Sequence, residues 1–335
     1  MLLIDALYIN NSGGKVLLDY LVQKLEESKL EVFYLFDIRV KGSYKTIPES
    51  RKIYLKASIT NRFKFYFNNS KKLKKVLCFA SLPPIFKLDA QVFTYFQQVL
   101  YLAIPSDYSF YKKLITKTKS IIAKSLRGNT NYWIVQSSSV REDLAPKFQI
   151  DINKILIIPF FPPLISKEST IRETNKFLYV SEGHKHKNHL KLLDAFLIFY
   201  NKHQIGELHL TVSFSNKYLC DKISELNKSG IPILNHGFLE RENLIGLYKS
   251  AEFLIFPSLA ESFGLGIIEA LENGCNIIGA DLPYLYSACK PSIVFDPRSI
   301  NDISKAFEKA ILRDFKPSKQ LLFNEIDRLL KLLAS

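Results

Sequence analysis

The sequence predicts an α/β protein made of two doubly wound domains, and three observations carry that prediction. The chain opens as strand, glycine loop, helix, strand, which is the start of a parallel sheet. Its second half alternates strand-like and helix-like runs, a rhythm that requires a mostly parallel sheet with helices on both faces. Between the halves lies IPFFPP, residues 158–163, where three prolines in six residues stiffen the chain and stop a sheet. At roughly 150 residues per domain, 335 residues suit two domains. The expected divisions are 1–160, 161–316 and a C-terminal segment, 317–335.

In the first half, residues 2–6 read as a buried strand. Gly13 and Gly14 make a loop, and the helix that follows over 16–27 carries Leu17, Leu18, Leu21, Val22 and Leu25 on one face. Further strands are expected at 32–36, 76–80, 92–95 and 133–136. A basic amphipathic helix is expected at 112–126. In the second half the strands fall at 177–180, 208–214, 231–234, 253–256 and 276–278. Helices fall at 188–200, 217–228, 240–249, 265–273 and 300–312. A last helix, with Leu321, Leu322, Ile326, Leu329 and Leu330 inside, is placed to pack back on the first domain.

Composition narrows the function. Hydrophobic residues make up 47% and charged residues 23%, with 25 Phe and 17 Tyr, so a disordered chain is excluded. With 13 Gly and 14 Pro, collagen-like and low-complexity classes are excluded too. No apolar run approaches the roughly 18 residues of a spanning helix. The N-terminus lacks a basic leader and Asp5 interrupts its apolar run, so it reads as a strand and not as a signal peptide. Cys78, Cys220, Cys275 and Cys289 form no CxxC pair and suit a reducing compartment.

The net charge of +14 is uneven. Residues 1–160 hold 25 basic and 12 acidic residues (25 − 12 = +13), and residues 161–335 hold 21 and 20 (21 − 20 = +1). From Arg51 to Lys75 there are nine basic residues and no acidic one, interleaved with Phe63, Phe65, Tyr66 and Phe67. Such a stretch suits an anionic membrane surface, a nucleic acid, or plain solvation.

The most informative stretch is FPSLAESFGLGIIEALENG, residues 256–274. A buried strand ends at Phe256 and a helix begins near Gly264. The amides of Ser262, Phe263, Gly264 and Leu265 therefore lie at a helix N-terminus, which favours an anion such as a diphosphate. Gly264 lets backbone approach a ligand closely. Glu269 can accept both hydroxyls of a vicinal diol such as ribose, and Glu261 can reach a sugar beyond the diphosphate. Taken singly, each Glu would be read as complementing the helix dipole.

Glu261 and Glu269 stand eight positions apart, with Pro257, Ser258, Phe263, Gly264, Ala270 and Gly274 around them. This E-x7-E pattern resembles the signature of glycosyltransferase family 4, retaining enzymes of the two-Rossmann-domain GT-B fold that use nucleotide sugars. The resemblance spans about 177–297, and the first half in outline. It implies that Glu261 contacts the donor sugar, that Phe263, Gly264 and Leu265 bind the diphosphate, and that Glu269 binds the ribose. It also implies a cleft between two Rossmann-like domains.

Residues 177–189, FLYVSEGHKHKNH, place Lys185 and Lys187 before a helix, where cations can neutralise a departing diphosphate. Lys187 matches a family lysine. The family's arginine position holds Glu182, so His184 or Lys185 would have to replace it. The spacing of His184, His186 and His189 also admits a metal site, though no Cys or Asp completes one. Gly13, Gly14 and Lys15 match a family loop near the diphosphate, and Gly237 in 235–238 matches a turn near the nucleobase. Residues 95–98, Tyr-Phe-Gln-Gln, lack the histidine that family members often carry near the acceptor.

The expectation is a metal-independent, cofactor-free transferase for surface polysaccharide biosynthesis. Glu261 and Lys187 are its catalytic residues, and its partners are a nucleotide sugar donor and a glycan or lipid-linked acceptor. It would be cytoplasmic and peripheral at the inner face of the plasma membrane. No nucleic acid is expected. A sugar-nucleotide epimerase of the same architecture and a basic nucleic-acid-binding protein are the alternatives.

Overall fold

The computed structural model describes residues 1–104, 108–164 and 170–335. The chain divides into two compact units, Met1–Pro162 with Phe323–Ser335, and Pro163–Leu322.

The first unit runs β1 (Leu2–Ala6), α1 (Ser12–Glu27), β2 (Val32–Asp37), β3 (Lys52–Leu55), α2 (Ile59–Asn69), β4 (Lys75–Cys78), β5 (Gln91–Tyr95), α3 (Phe110–Ser125), β6 (Tyr132–Val135), α4 (Ser138–Phe148) and β7 (Ile155–Ile157). Its strands form one parallel sheet in the order β3-β2-β1-β4-β5-β6-β7. The winding direction reverses between β1 and β4, where sheets of this kind open a crevice at the strands' carboxyl ends. The central strand β1 is buried throughout, Asp5 included. Asp5 is tolerated because Arg62 Nε on α2 donates to it at 2.7 Å, as does Tyr66 Oη at 2.7 Å. Arg62 spends its other donors on the carbonyls of Pro83 (2.7 Å) and Leu82 (2.8 Å), so the ion pair is hydrogen-bonded on both sides.

Two expectations change here. First, α1 starts at Ser12, so Gly13 and Gly14 form its first turn instead of a loop. Asn11 takes the extended conformation that opens the helix, and only small residues follow it. A Cβ on Gly13 would meet nothing, whereas one on Gly14 would sit 3.4 Å from Gln97 Oε1. Lys15 spends its charge on Asp19, 2.7 Å away. Second, the basic stretch from Arg51 to Lys75 is not one open surface, because it contains β3 and α2. Lys52, Arg62, Phe65 and Tyr66 are buried. Arg51 pairs with Glu26, and Lys75 Nζ caps the Leu332 carbonyl at 3.1 Å. Phe63 and Phe67 remain outside, and their rings stack on each other.

The second unit runs β8 (Glu173–Tyr179), α5 (His189–His203), β9 (Glu207–Leu210), α6 (Lys217–Lys228), β10 (Ile233–Asn235), α7 (Leu244–Ser250), β11 (Ala251–Phe256), α8 (Leu265–Glu272), β12 (Asn276–Ala280), α9 (Pro283–Ala288), β13 (Cys289–Lys290), β14 (Ile293–Phe295), α10 (Ile300–Ile311) and β15 (Lys319–Gln320). Six strands form a parallel sheet in the order β10-β9-β8-β11-β12-β14, and β13 pairs antiparallel with β15. The reversal falls between β8 and β11. Both sheets are thus α/β, parallel and doubly wound. Phe307 of α10 locks onto Phe177, Phe196 and Phe199, with ring centroids 4.7 to 5.3 Å away.

The strand expected over 208–214 ends at Leu210, because Val212 N–H turns to the Asn235 side chain instead of a neighbouring strand. The final helix, α11 (Ile326–Ala334), begins later than the leucine pattern suggests. It belongs to the first unit. Glu325 N–H donates to the Pro159 carbonyl at 2.7 Å, and Asn324 Nδ2 donates to Phe161 O at 2.7 Å and to Tyr20 Oη at 2.9 Å. Among the described residues, no helix is long and apolar enough to cross a membrane.

Candidate active site

The loops leaving β8 and β11 flank the reversal point of the second sheet, the place where such sheets bind ligands. They are stitched together along their length. Leu259 N–H donates to the His186 carbonyl at 2.8 Å. Asn188, held in the left-handed region at φ 63°, donates to the carbonyls of Pro257 (3.2 Å) and Pro297 (2.8 Å). Buried Tyr179 donates to the Lys187 carbonyl at 2.9 Å and meets Ser258 Oγ at 3.2 Å, while Tyr284 Oη donates to Ser258 O at 2.7 Å. This scaffold fixes Lys187 and Glu261, 74 residues apart, with Nζ 2.6 Å from Oε1. Burial alone would lower the Lys187 pKa. The Glu261 carboxylate beside it outweighs that effect, and the net shift is upward. Lys187 is therefore a fixed ammonium at neutral pH, suited to meeting anionic oxygen.

Next to this pair stands the N-terminus of α8. Gly264 caps it at φ 71°, a conformation that strains any residue with a Cβ; one added here would also press on Ile267 at 3.0 Å. The first-turn amides of α8, Leu265 and Gly266, have no preceding intrahelical carbonyl. Gly266 also lets α8 lie against Tyr248 and Phe256, since a Cβ would approach the Tyr248 hydroxyl to 3.4 Å. Ser262, Phe263 and Gly264 complete the turn that leads into the helix.

Glu269, one turn into α8, is 4% exposed and already engaged. Arg241 Nε donates to Oε1 at 2.8 Å and the buried Tyr248 hydroxyl donates to Oε2 at 3.1 Å. Burial pushes its pKa up, Arg241 opposes that, and the net shift is upward. A carboxylate has about four acceptor positions, so roughly two remain for a ligand diol. Arg241 and Tyr248 escaped the sequence reading. Arg241 lies 28 residues from its partner, and its one local signal is a lone arginine shortly after the Gly237 turn.

The other candidates are placed as follows. Gly237, at φ 72°, takes a conformation that strains any residue with a Cβ, and the exposed Phe214 ring lies over it. Lys185 is exposed, and His184 pairs with Glu182 at 2.9 Å. His189 is buried against the Tyr179 ring. Among the described residues, no three His, Cys, Asp or Glu side chains are grouped to hold a metal ion. Gly13 and Gly14 lie in the first unit, beside its own reversal point. Among the described residues of that unit, three buried polar atoms at or just past the carboxyl ends of its strands have no hydrogen-bond partner: Tyr8 Oη after β1, Tyr95 Oη on β5 and Gln136 Nε2 after β6.

The family profile described as glycosyl transferases group 1 matches residues 163–330, half of the chain. The chain belongs to the group 1 glycosyl transferases. Over 76 residues this glycosyl transferase is 36% identical to the serotype-specific mannosyltransferase WbdA of Escherichia coli. That stretch is 22% of the chain and only 9% of the relative. The lipopolysaccharide outer core galactosyltransferase WaaB shares the fold at TM-score 0.66 and 15% identity, covering 99% of this chain and 94% of that one. A structure of S. aureus TarM with fondaparinux, alpha-GlcNAc-glycerol and UDP aligns at TM-score 0.63 and 15% identity, over 78% of this chain and 53% of that one. The glycosyl transferase fold is thus of the GT-B kind, two parallel sheets with helices on both faces.

Proposed function

We propose that this glycosyl transferase is of the family 4 type. It moves a hexosyl unit, with retention of anomeric configuration, from a nucleoside diphosphate sugar to a hydroxyl of a lipid-linked glycan in surface polysaccharide assembly. The observation that carries the reading is the Lys187–Glu261 pair, 2.6 Å apart beside the α8 N-terminus. The bond from the anomeric carbon to the diphosphate breaks with its electrons on the leaving oxygen. Lys187 and the α8 amides stabilise that charge as it forms. Glu261 orients the sugar hydroxyls and Glu269 the ribose. The new bond forms to the acceptor oxygen, whose proton is released. Because the departing charge meets fixed amides and lysines, the reaction needs no metal ion or cofactor.

Two further supports bear on substrates. The likeness to a mannosyltransferase makes GDP-mannose the first donor to test, with UDP-hexoses next. The first unit's share of the positive charge fits a lipid-linked diphosphate acceptor at the cytoplasmic face of an anionic membrane. No nucleic acid partner is proposed.

The test is a panel of nucleoside diphosphate sugars with a polyprenyl diphosphate glycan as acceptor. Expected is acceptor-dependent transfer, reduced about 10²- to 10³-fold in kcat by Lys187→Ala, as for loss of one preorganised charge stabiliser. Conversion of the donor, without acceptor, to a sugar inverted at one ring carbon would make the protein an epimerase. Product of inverted configuration would remove the family 4 assignment.

A further inference from the structure

The helix α3 is built inside out for a protein in water. Of its sixteen residues, FYKKLITKTKSIIAKS, only Ala123 is buried. Its largest side chains are in the open: Phe110 is 82% exposed, Tyr111 73%, Leu114 52% and Ile121 58%. Phe110, Leu114 and Ile121 follow the spacing i, i+4, i+11 and so form one stripe, with Tyr111 at its edge. At 3.6 residues per turn, Ala123 falls on the opposite side from Leu114. The apolar stripe therefore faces away from the unit's own core. Lys113, Lys117 and Lys124 run along one border of it, while Lys112 and Lys119 fall on the opposite side, toward Ala123. The helix contains no acidic residue.

We propose that α3 is the face by which this protein lies on an anionic membrane, its apolar stripe entering the headgroup–acyl boundary and its lysines meeting lipid phosphate. The inference rests on the membrane reading proposed above and gives it a location. Charge and shape commit the face to lipid. Lysine borders alone would fit any polyanion, but an exposed row of Phe, Leu and Ile beside lysines, with no acidic residue, is the pattern of a helix lying in the interface of an anionic bilayer. The stretch from Arg51 to Lys75 is the weaker candidate, since much of its charge and half of its aromatic residues are used inside the fold. Each lysine near an anionic surface contributes about fivefold in partition at low salt, and that share fades as salt shortens the Debye length. Each large apolar side chain that enters the boundary contributes roughly tenfold and is not screened.

Vesicle co-sedimentation of the full chain decides it, using phosphatidylcholine vesicles with and without phosphatidylglycerol over a salt series. Three variants are compared: Phe110→Gln with Leu114→Gln and Ile121→Gln; Lys113→Gln with Lys117→Gln and Lys124→Gln; and Lys71→Gln with Lys72→Gln and Lys74→Gln. Circular dichroism and thermal shift with GDP and UDP confirm that each stays folded and keeps its donor response. Expected is binding to the anionic vesicles only. Both α3 variants should bind at least about tenfold more weakly, the apolar one at every salt concentration and the lysine one mainly at low salt. The Lys71 set should lose less. Unchanged binding by both α3 variants, with wild type bound, overturns the α3 assignment and leaves the membrane reading standing. No binding by wild type overturns both. Preferential, steeply salt-dependent binding to RNA or duplex DNA would assign the face to nucleic acid instead.

Discussion

Replacing Glu269 tests the ribose assignment and carries two separable costs. Glu269→Ala removes the acceptor for the Tyr248 hydroxyl, which is fully buried, and for Arg241 Nε. An orphaned buried hydroxyl costs about 1–3 kcal/mol. In a unit of this size each kcal/mol shifts Tm by about 2–4 °C, so unfolding of the second unit should move down by roughly 2–12 °C. The second cost appears only with ligand. Each hydrogen bond from a ribose hydroxyl to a carboxylate is worth about 1.5–3 kcal/mol, so one bond lost weakens nucleoside diphosphate binding by roughly 10- to 150-fold. Glu269→Gln keeps an acceptor for Tyr248 and separates the two. Calorimetric titration of wild type and both variants with a nucleoside diphosphate and its 2′,3′-dideoxy analogue gives the answer. Wild type should strongly prefer the ribonucleotide, and both variants should lose most of that preference. Equal Kd values for wild type and variants, with only Tm lowered, would make Glu269 a purely structural partner of Arg241 and Tyr248.

Arg62→Met strands the buried Asp5 carboxylate and should cost about 3–5 kcal/mol; adding Asp5→Leu should restore most of it, as urea unfolding of the single and double variants will show. A single-variant loss below about 1 kcal/mol would refute the ion-pair account. Burial, with help from Lys187, His184 and His186, depresses the His189 pKa to about 3. The unfolded chain, with an ordinary value near 6.5, then binds more protons than the folded one between those limits. Stability falls as pH drops through 6.5, by about 2 kcal/mol at pH 5 relative to His189→Leu, and an identical pH profile for the two proteins would remove the effect. Transfer activity should persist in EDTA. Complete loss on chelation, restored by manganese or magnesium, would overturn the proposed role of Lys187 and the α8 amides.

The two sheets were legible because parallel strands are buried on both faces and leave short apolar runs, as at Leu2–Ala6 and Ala251–Phe256. The stretch holding β3 and α2 was not. A basic residue in a sequence is taken as surface, and nothing local shows that Arg62 answers Asp5 across 57 residues. Helix α4 was hidden by its serine-rich start, where Ser137 is the N-cap, and by Pro146 within it. At the candidate site, Glu261, Glu269 and Lys187 stood out within their own loops. The Arg241 and Tyr248 contacts to Glu269 could not, because they exist only once α7 and the turn that precedes it pack beside α8.

The assignment of Phe323–Ser335 to the first unit bears on how the chain is made. At about 5–20 residues per second, a ribosome takes roughly 10–30 s to pass from Pro162 to Phe323. Throughout that interval the surface of α1 that receives α11 is bare, and the carbonyls of Pro159 and Phe161 wait for Glu325 and Asn324. The second unit, continuous in sequence, can close first although its residues emerge later. The unit whose residues emerge before those of the second is then the one completed last, when Phe323–Ser335 arrives.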